Sequence, residues 1–98
     1  MDITIKVKII TQVIDRIASN RDDVICLAVR KVINNLVDTT VQEHLYRTTI
    51  LEDIFKYKPK ELWSATIWYP LTKKGRTKRL RKLKRVLKDY QQLLKQLS

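Results

Sequence analysis

Apolar residues recur at helical intervals along most of the chain. In ITIKVKIITQVIDRIA, residues 3 to 18, the positions Ile3, Val7, Ile10, Ile14 and Ile17 follow steps of 4, 3, 4 and 3. That interval places side chains on one face of a helix. The same stretch opens on a second pattern, since Ile3, Ile5, Val7 and Ile9 alternate with Thr4, Lys6 and Lys8, and β-branching suits a half-buried strand. No breaker interrupts the longer spacing before Ser19-Asn20, so a helix is expected over 3–18, with a strand over 3–9 as the alternative.

Asn20 can cap a second helix, because Asp22 and Asp23 then fall in its first turn, where the positive end of the peptide dipoles favours carboxylates. This helix is expected to reach about Val37. Val24, Ile25, Leu27, Ala28, Val29, Val32, Ile33, Leu36 and Val37 cover more than one stripe of it, which marks it as the central helix. Thr40 and Glu43 have the spacing of a capping box and start a third helix, with Val41, Leu45, Leu51, Ile54 and Phe55 inward and an end before Pro59. Pro59 suits the first turn of a short fourth helix holding Leu62, Trp63, Ile67 and Trp68, which must stop near Pro70.

Gly75, with Lys73, Lys74 and Arg76 around it, reads as a loop. From about Thr77 a last helix carries Leu80, Leu83, Leu87, Tyr90, Leu94 and Leu97 at steps of 3, 4, 3, 4 and 3, a stripe suited to docking on a bundle. The expected fold is therefore all-α: a compact bundle of four to five helices with a basic amphipathic C-terminal helix. Its expected core is Ile10, Ile14, Ile17, Val24, Leu27, Ala28, Val32, Leu36, Leu45, Leu51, Phe55, Leu83 and Leu87.

Length and composition agree with this. Ninety-eight residues make one domain, 1–98, and with one glycine and two prolines the connections must be few and short. Neither an apolar signal segment nor a membrane-spanning run is present, so a reducing, cytoplasmic setting is the expectation. Cys26, the single cysteine, sits in the apolar run VICLAV and reads as a small buried hydrophobe.

Charge changes the picture more than composition does. The net charge is +11, and its distribution is uneven. Lys56 to Lys88 holds thirteen basic residues and one acid, Glu61, whereas Met1 to Phe55 has seven basic and eight acidic residues and Asp89 to Ser98 is neutral on balance. A cationic third of this kind points to a polyanion or an anionic surface.

Catalytic chemistry finds little support. Triad chemistry would need His44, the one histidine, which falls on the third helix as a surface or structural residue. A phosphate-cradling loop cannot be built from one glycine. The acidic pairs Asp22-Asp23 and Glu52-Asp53 are sequence neighbours, which do not converge from one helix face. The expectation is a non-enzyme without cofactor or metal.

The candidate nucleic-acid-binding set is Lys73, Lys74, Arg76, Lys78, Arg79, Arg81, Lys82, Lys84, Arg85 and Lys88, with Trp63 and Trp68 as residues that could stack on unpaired bases. The competing reading of both tryptophans is as core of the short helix. A solvated helix face interleaves Glu with Lys, whereas no acid occurs from Ser64 to Lys88. Three functions fit the cationic third: a non-catalytic subunit gripping RNA or DNA backbone, a sequence-specific DNA regulator, or a membrane-surface or acidic-partner binder. The regulator reading is disfavoured by the long Pro70 to Arg76 connection and by the lack of Asn, Gln and Ser mixed with the arginines that follow. Membrane binding would want bulky aromatics on the basic helix, which has Tyr90 alone. The first reading leads.

In outline, LWSATIWYPLTKKGRTKRLRKLKRVLK and the charge-balanced bundle before it resemble the small helical subunits of CRISPR effector (Cascade-type) complexes. The resemblance implies an all-helical subunit of an antiviral ribonucleoprotein that contacts nucleic-acid backbone beside larger protein subunits or copies of itself, with no membrane association.

Overall fold

The computed structural model describes residues 2–56 and 69–97. Among them are four helices and no strand: α1 (Ile3–Ala18), α2 (Ile25–Leu36), α3 (Thr40–Phe55) and α4 (Lys73–Leu97). The all-α bundle is as expected, and the alternating residues 3–9 are helical.

Asp2 caps α1 by accepting the Thr4 N–H at 2.8 Å. Ile9, Ile10, Val13 and Ile17 are fully buried, while Ile3, Val7 and Ile14 are half-buried and packed against the core. The inward face is thus centred slightly off the Ile3–Ile17 stripe. It is broad because α1 packs against all three other helices, most closely α4, and α1 rather than α2 is the central element.

Asn20 ends α1 instead of starting α2. Its φ is +61°, its N–H donates to Ile17 O, and the Arg21 N–H donates to Arg16 O at 2.9 Å. These are the two bonds of a Schellman motif, in which Asn is one of the few residues that tolerates the left-handed position. α2 begins four residues later than a cap at Asn20 would place it, after Val24, which makes no side-chain cap. Asp22 is consequently not a first-turn residue but a buried one, 6% exposed, accepting from Arg16 Nε at 2.5 Å and Lys31 Nζ at 2.7 Å.

The cap of α3 is Thr39, one residue before the expected Thr40, and its hydroxyl accepts the Gln42 N–H at 3.1 Å. Glu43 instead pairs with Arg47 one turn on, at 3.2 Å and off the line of a hydrogen bond. Tyr46, Ile50, Leu51, Ile54 and Phe55 face inward, leaving Val41 and Leu45 in solvent. Leu27 on α2 is exposed as well, where Val29 and Ile33 fill the core in its place. Leu36 and Leu87 are half-buried against the core, and Ile10, Ile17, Val24, Ala28, Val32, Leu51, Phe55 and Leu83 are buried as expected. Cys26 is buried, which raises its thiol pKa and suits a packing role.

Candidate nucleic-acid interface

The residues read as a loop around Gly75 form the first turn of α4. Thr72 makes this possible: its hydroxyl accepts the Gly75 N–H at 3.0 Å and its carbonyl accepts the Arg76 N–H at 2.8 Å. A Cβ on Gly75 would come within 3.1 Å of that hydroxyl, so glycine leaves the cap room rather than breaking the helix. The helix is therefore longer by a turn than the sequence reading allows, and all ten candidate cations lie on it.

The ten do not share one role. Lys73, Lys74, Lys78, Arg81, Lys84, Arg85 and Lys88 are exposed, whereas Arg76, Arg79 and Lys82 are half-buried. Arg76 is tied into the fold: Nη1 donates to Ile17 O at 2.7 Å and to Asp22 O at 3.0 Å. The Arg79 guanidinium stands 5.2 Å from the centre of the Phe55 ring, and desolvation there lowers its pKa. Both belong to the inward face, for Arg76 precedes buried Leu83 by seven residues and Arg79 precedes it by four. Arg76 and Arg79 thus also help to dock α4 on the bundle.

The remaining cations are displayed by that docking. Leu83, Val86 and Tyr90 bury one face of α4. The Tyr90 hydroxyl donates to Asp53 of α3, and Lys6 of α1 lies 3.6 Å from the same carboxylate and 4.7 Å from the Tyr90 ring centre. Burial raises the Tyr90 pKa, and the Asp53 hydrogen bond and charge raise it further. At the other end the Leu71 N–H donates to Asp23 O at 2.6 Å, fixing the chain as it enters the helix.

Between α4 and the end of α3 runs an open groove of about 300 Å³, lined by Lys56, Lys78, Arg81, Lys82 and Arg85 with Asp53, Val86 and Asp89. It gathers five cations against two carboxylates, one of which already serves Lys6 and Tyr90. Lys56 was not among the candidate residues, although it is the first cation of the basic third and follows directly on α3. Trp63 and Trp68, with the short helix expected from Pro59, lie outside the described residues.

His44 is exposed on α3 and 3.3 Å from the Arg47 guanidinium. Among the described residues no three His, Cys, Asp or Glu side chains come together as a metal site would require, and no helix is long and apolar enough to cross a membrane. No protein-family model matches this chain, and neither a curated protein nor a solved structure is similar enough to it to be matched.

Proposed function

We propose that this chain is a non-catalytic protein that binds nucleic-acid backbone through the solvent face of α4, largely without reading sequence. The observation that carries the proposal is the set of seven exposed cations between Lys73 and Lys88 on one helix, uninterrupted by any acid. Phosphates are the ligand for such a face, because lysine and arginine neutralise them while leaving base edges unread. No Asn or Gln stands among residues 73–88 to complement adenine.

The membrane-surface alternative loses support from the packing. Its helix would have to offer an apolar face to lipid, whereas Leu83, Val86 and Tyr90 are already buried in the bundle. Operation inside a larger nucleoprotein assembly, of which CRISPR effector complexes are one class, remains part of the proposal and rests on the sequence resemblance. It is tested by purifying the chain from its host and identifying co-purifying nucleic acid and protein.

The backbone-binding proposal itself is tested by measuring affinity for DNA and RNA across a salt series. A steep fall of log K with log salt, of slope about −3 to −5, is expected if roughly half of the cations meet phosphates. Absence of binding at low salt would overturn it.

A further inference from the structure

The groove between α4 and the end of α3 is cationic along most of its length and acidic at one end. Lys74, Lys78, Arg81, Lys82 and Arg85 follow one another on α4 at steps of 4, 3, 1 and 3. At about 100° per residue they occupy roughly 100° of the helix circumference, a single stripe, and four of the five line the groove together with Lys56. Asp89, four residues after Arg85, continues the same stripe. Beyond it the stripe holds Gln92 and Gln96, so no cation of α4 carries the track further.

Asp53 of α3 lines the groove beside Asp89, and both carboxylates also line an adjoining cavity of about 250 Å³ that reaches Lys6, Tyr90 and Leu93. Lys56 lines both spaces and so stands at their junction. Lys6, on the far side, is held 3.6 Å from Asp53 and 4.7 Å from the Tyr90 ring centre. A phosphate strand laid along the stripe from Lys74 therefore meets favourable charge for about 16 Å and then two carboxylates, which repel it. An internal stretch of strand has to pass those carboxylates or turn out of the groove. A strand end can stop before them. A terminal phosphate monoester also suits the position on charge, since it carries nearly two negative charges at neutral pH where an internal diester carries one.

Resting on the backbone-binding reading, we propose that the groove receives a nucleic-acid strand terminus bearing a phosphate. The strand enters over Lys74 and Lys78, and its terminal phosphate is held by Lys56, Lys82 and Arg85, short of Asp53 and Asp89. Lys84 and Lys88, exposed outside the groove, add to the affinity for any strand without distinguishing its end.

The test compares, by fluorescence anisotropy at low and moderate salt, one oligonucleotide in four forms: with a 5′-phosphate, with a 3′-phosphate, with hydroxyls at both ends, and closed into a circle. At least one phosphorylated form should bind about tenfold or more tighter than the unphosphorylated strand and the circle, as one or two charge-assisted hydrogen bonds would give. Lys82→Gln/Arg85→Gln should erase that difference, whereas Lys84→Gln/Lys88→Gln should weaken all four forms alike. Asp89→Asn should bring the circle closer to the phosphorylated strands, and circular dichroism verifies that each variant is folded. A mononucleotide with the same phosphate should compete only at far higher concentration than the strand. Equal affinity for all four forms overturns the terminus inference and leaves backbone binding standing, as does a difference that survives in Lys82→Gln/Arg85→Gln or is unchanged by Asp89→Asn. Competition by the mononucleotide as strong as by the strand overturns it too, since the groove would then take any phosphate monoester. If the native chain binds none of the four at low salt, both readings fail.

Discussion

Arg76 and Ile17 are joined across 59 residues of sequence by a 2.7 Å hydrogen bond from the guanidinium to a carbonyl at the end of α1. The same nitrogen reaches Asp22 O at 3.0 Å, so one side chain closes two carbonyls that the helix end and its turn present. Arg76→Ala should therefore lower stability by about 1.5 to 3 kcal/mol, the usual worth of hydrogen bonds to a charged group. Its effect on the salt dependence of nucleic-acid binding should be small. Urea unfolding and a salt titration on the same variant separate the two.

Asp22 makes stability depend on acid. Burial alone would raise its pKa, but the hydrogen bonds and charges of Lys31 and Arg16 outweigh burial and hold it below the ordinary value. A carboxyl whose folded pKa is depressed contributes its stability above the unfolded pKa of about 3.9 and loses it as pH falls through the folded value. Asp22→Asn should cost about 1 to 3 kcal/mol at pH 7 and flatten the fall in stability below about pH 4, as read from urea midpoints over that range.

Tyr90 gives the opposite sign. Its phenol pKa is raised, so the folded state holds the proton and the associated stability is present below the unfolded pKa of about 10 and lost as pH climbs beyond it. Ultraviolet titration should find one of the four tyrosines still protonated until the chain unfolds in alkali. Tyr90→Phe should remove that late step and cost about 0.5 to 1.5 kcal/mol, since Asp53 keeps Lys6 as a partner.

Two leucines of the same stripe should behave unequally. Leu83 is fully buried, and Leu83→Ala should cost about 2 to 5 kcal/mol. Leu97 is 75% exposed, and Leu97→Ala should stay within about 0.5 kcal/mol. Thermal melts of the two variants check this directly.

Arg81 and Arg85 stand four residues apart on the solvent face of α4 and are both exposed. Replacing both with Gln should reduce the salt slope of binding by about two and leave helix content unchanged. Binding isotherms at several salt concentrations, with circular dichroism, are the measurement.

The helical period exposed the fold class and the last apolar stripe, because steps of three and four over many turns have one geometric meaning. It was less informative at the ends of elements. Asn20 can cap the start of one helix or finish the previous one, and the choice was made by φ, which the residue type permits but does not dictate. Gly75 reads as a breaker unless Thr72 is seen to cap the turn that contains it. Leu27 and Leu45 show the limit of apolarity as a guide: each belongs to a helix with more apolar positions than its buried face can hold. The division of the ten cations was legible in principle, since Arg76 and Arg79 keep register with Leu83 and Tyr90. What concealed it was the rule that arginine points outward, which fails where helix-end carbonyls and an aromatic ring await it.

The absence of acids from residues 73–88 of α4 also bears on how the chain responds to its medium when it is alone. Seven exposed like charges on one helix repel one another, and the same charges oppose the positive end of the helix dipole at Lys73 and Lys74. Neutral salt shortens the reach of that repulsion to about 8 Å at physiological ionic strength. The melting temperature of the free protein should accordingly rise with added salt, while its hold on a polyanion weakens over the same range. Conditions that favour release are then those in which the released chain is self-sufficient, and dilute conditions leave it dependent on its ligand for part of its stability.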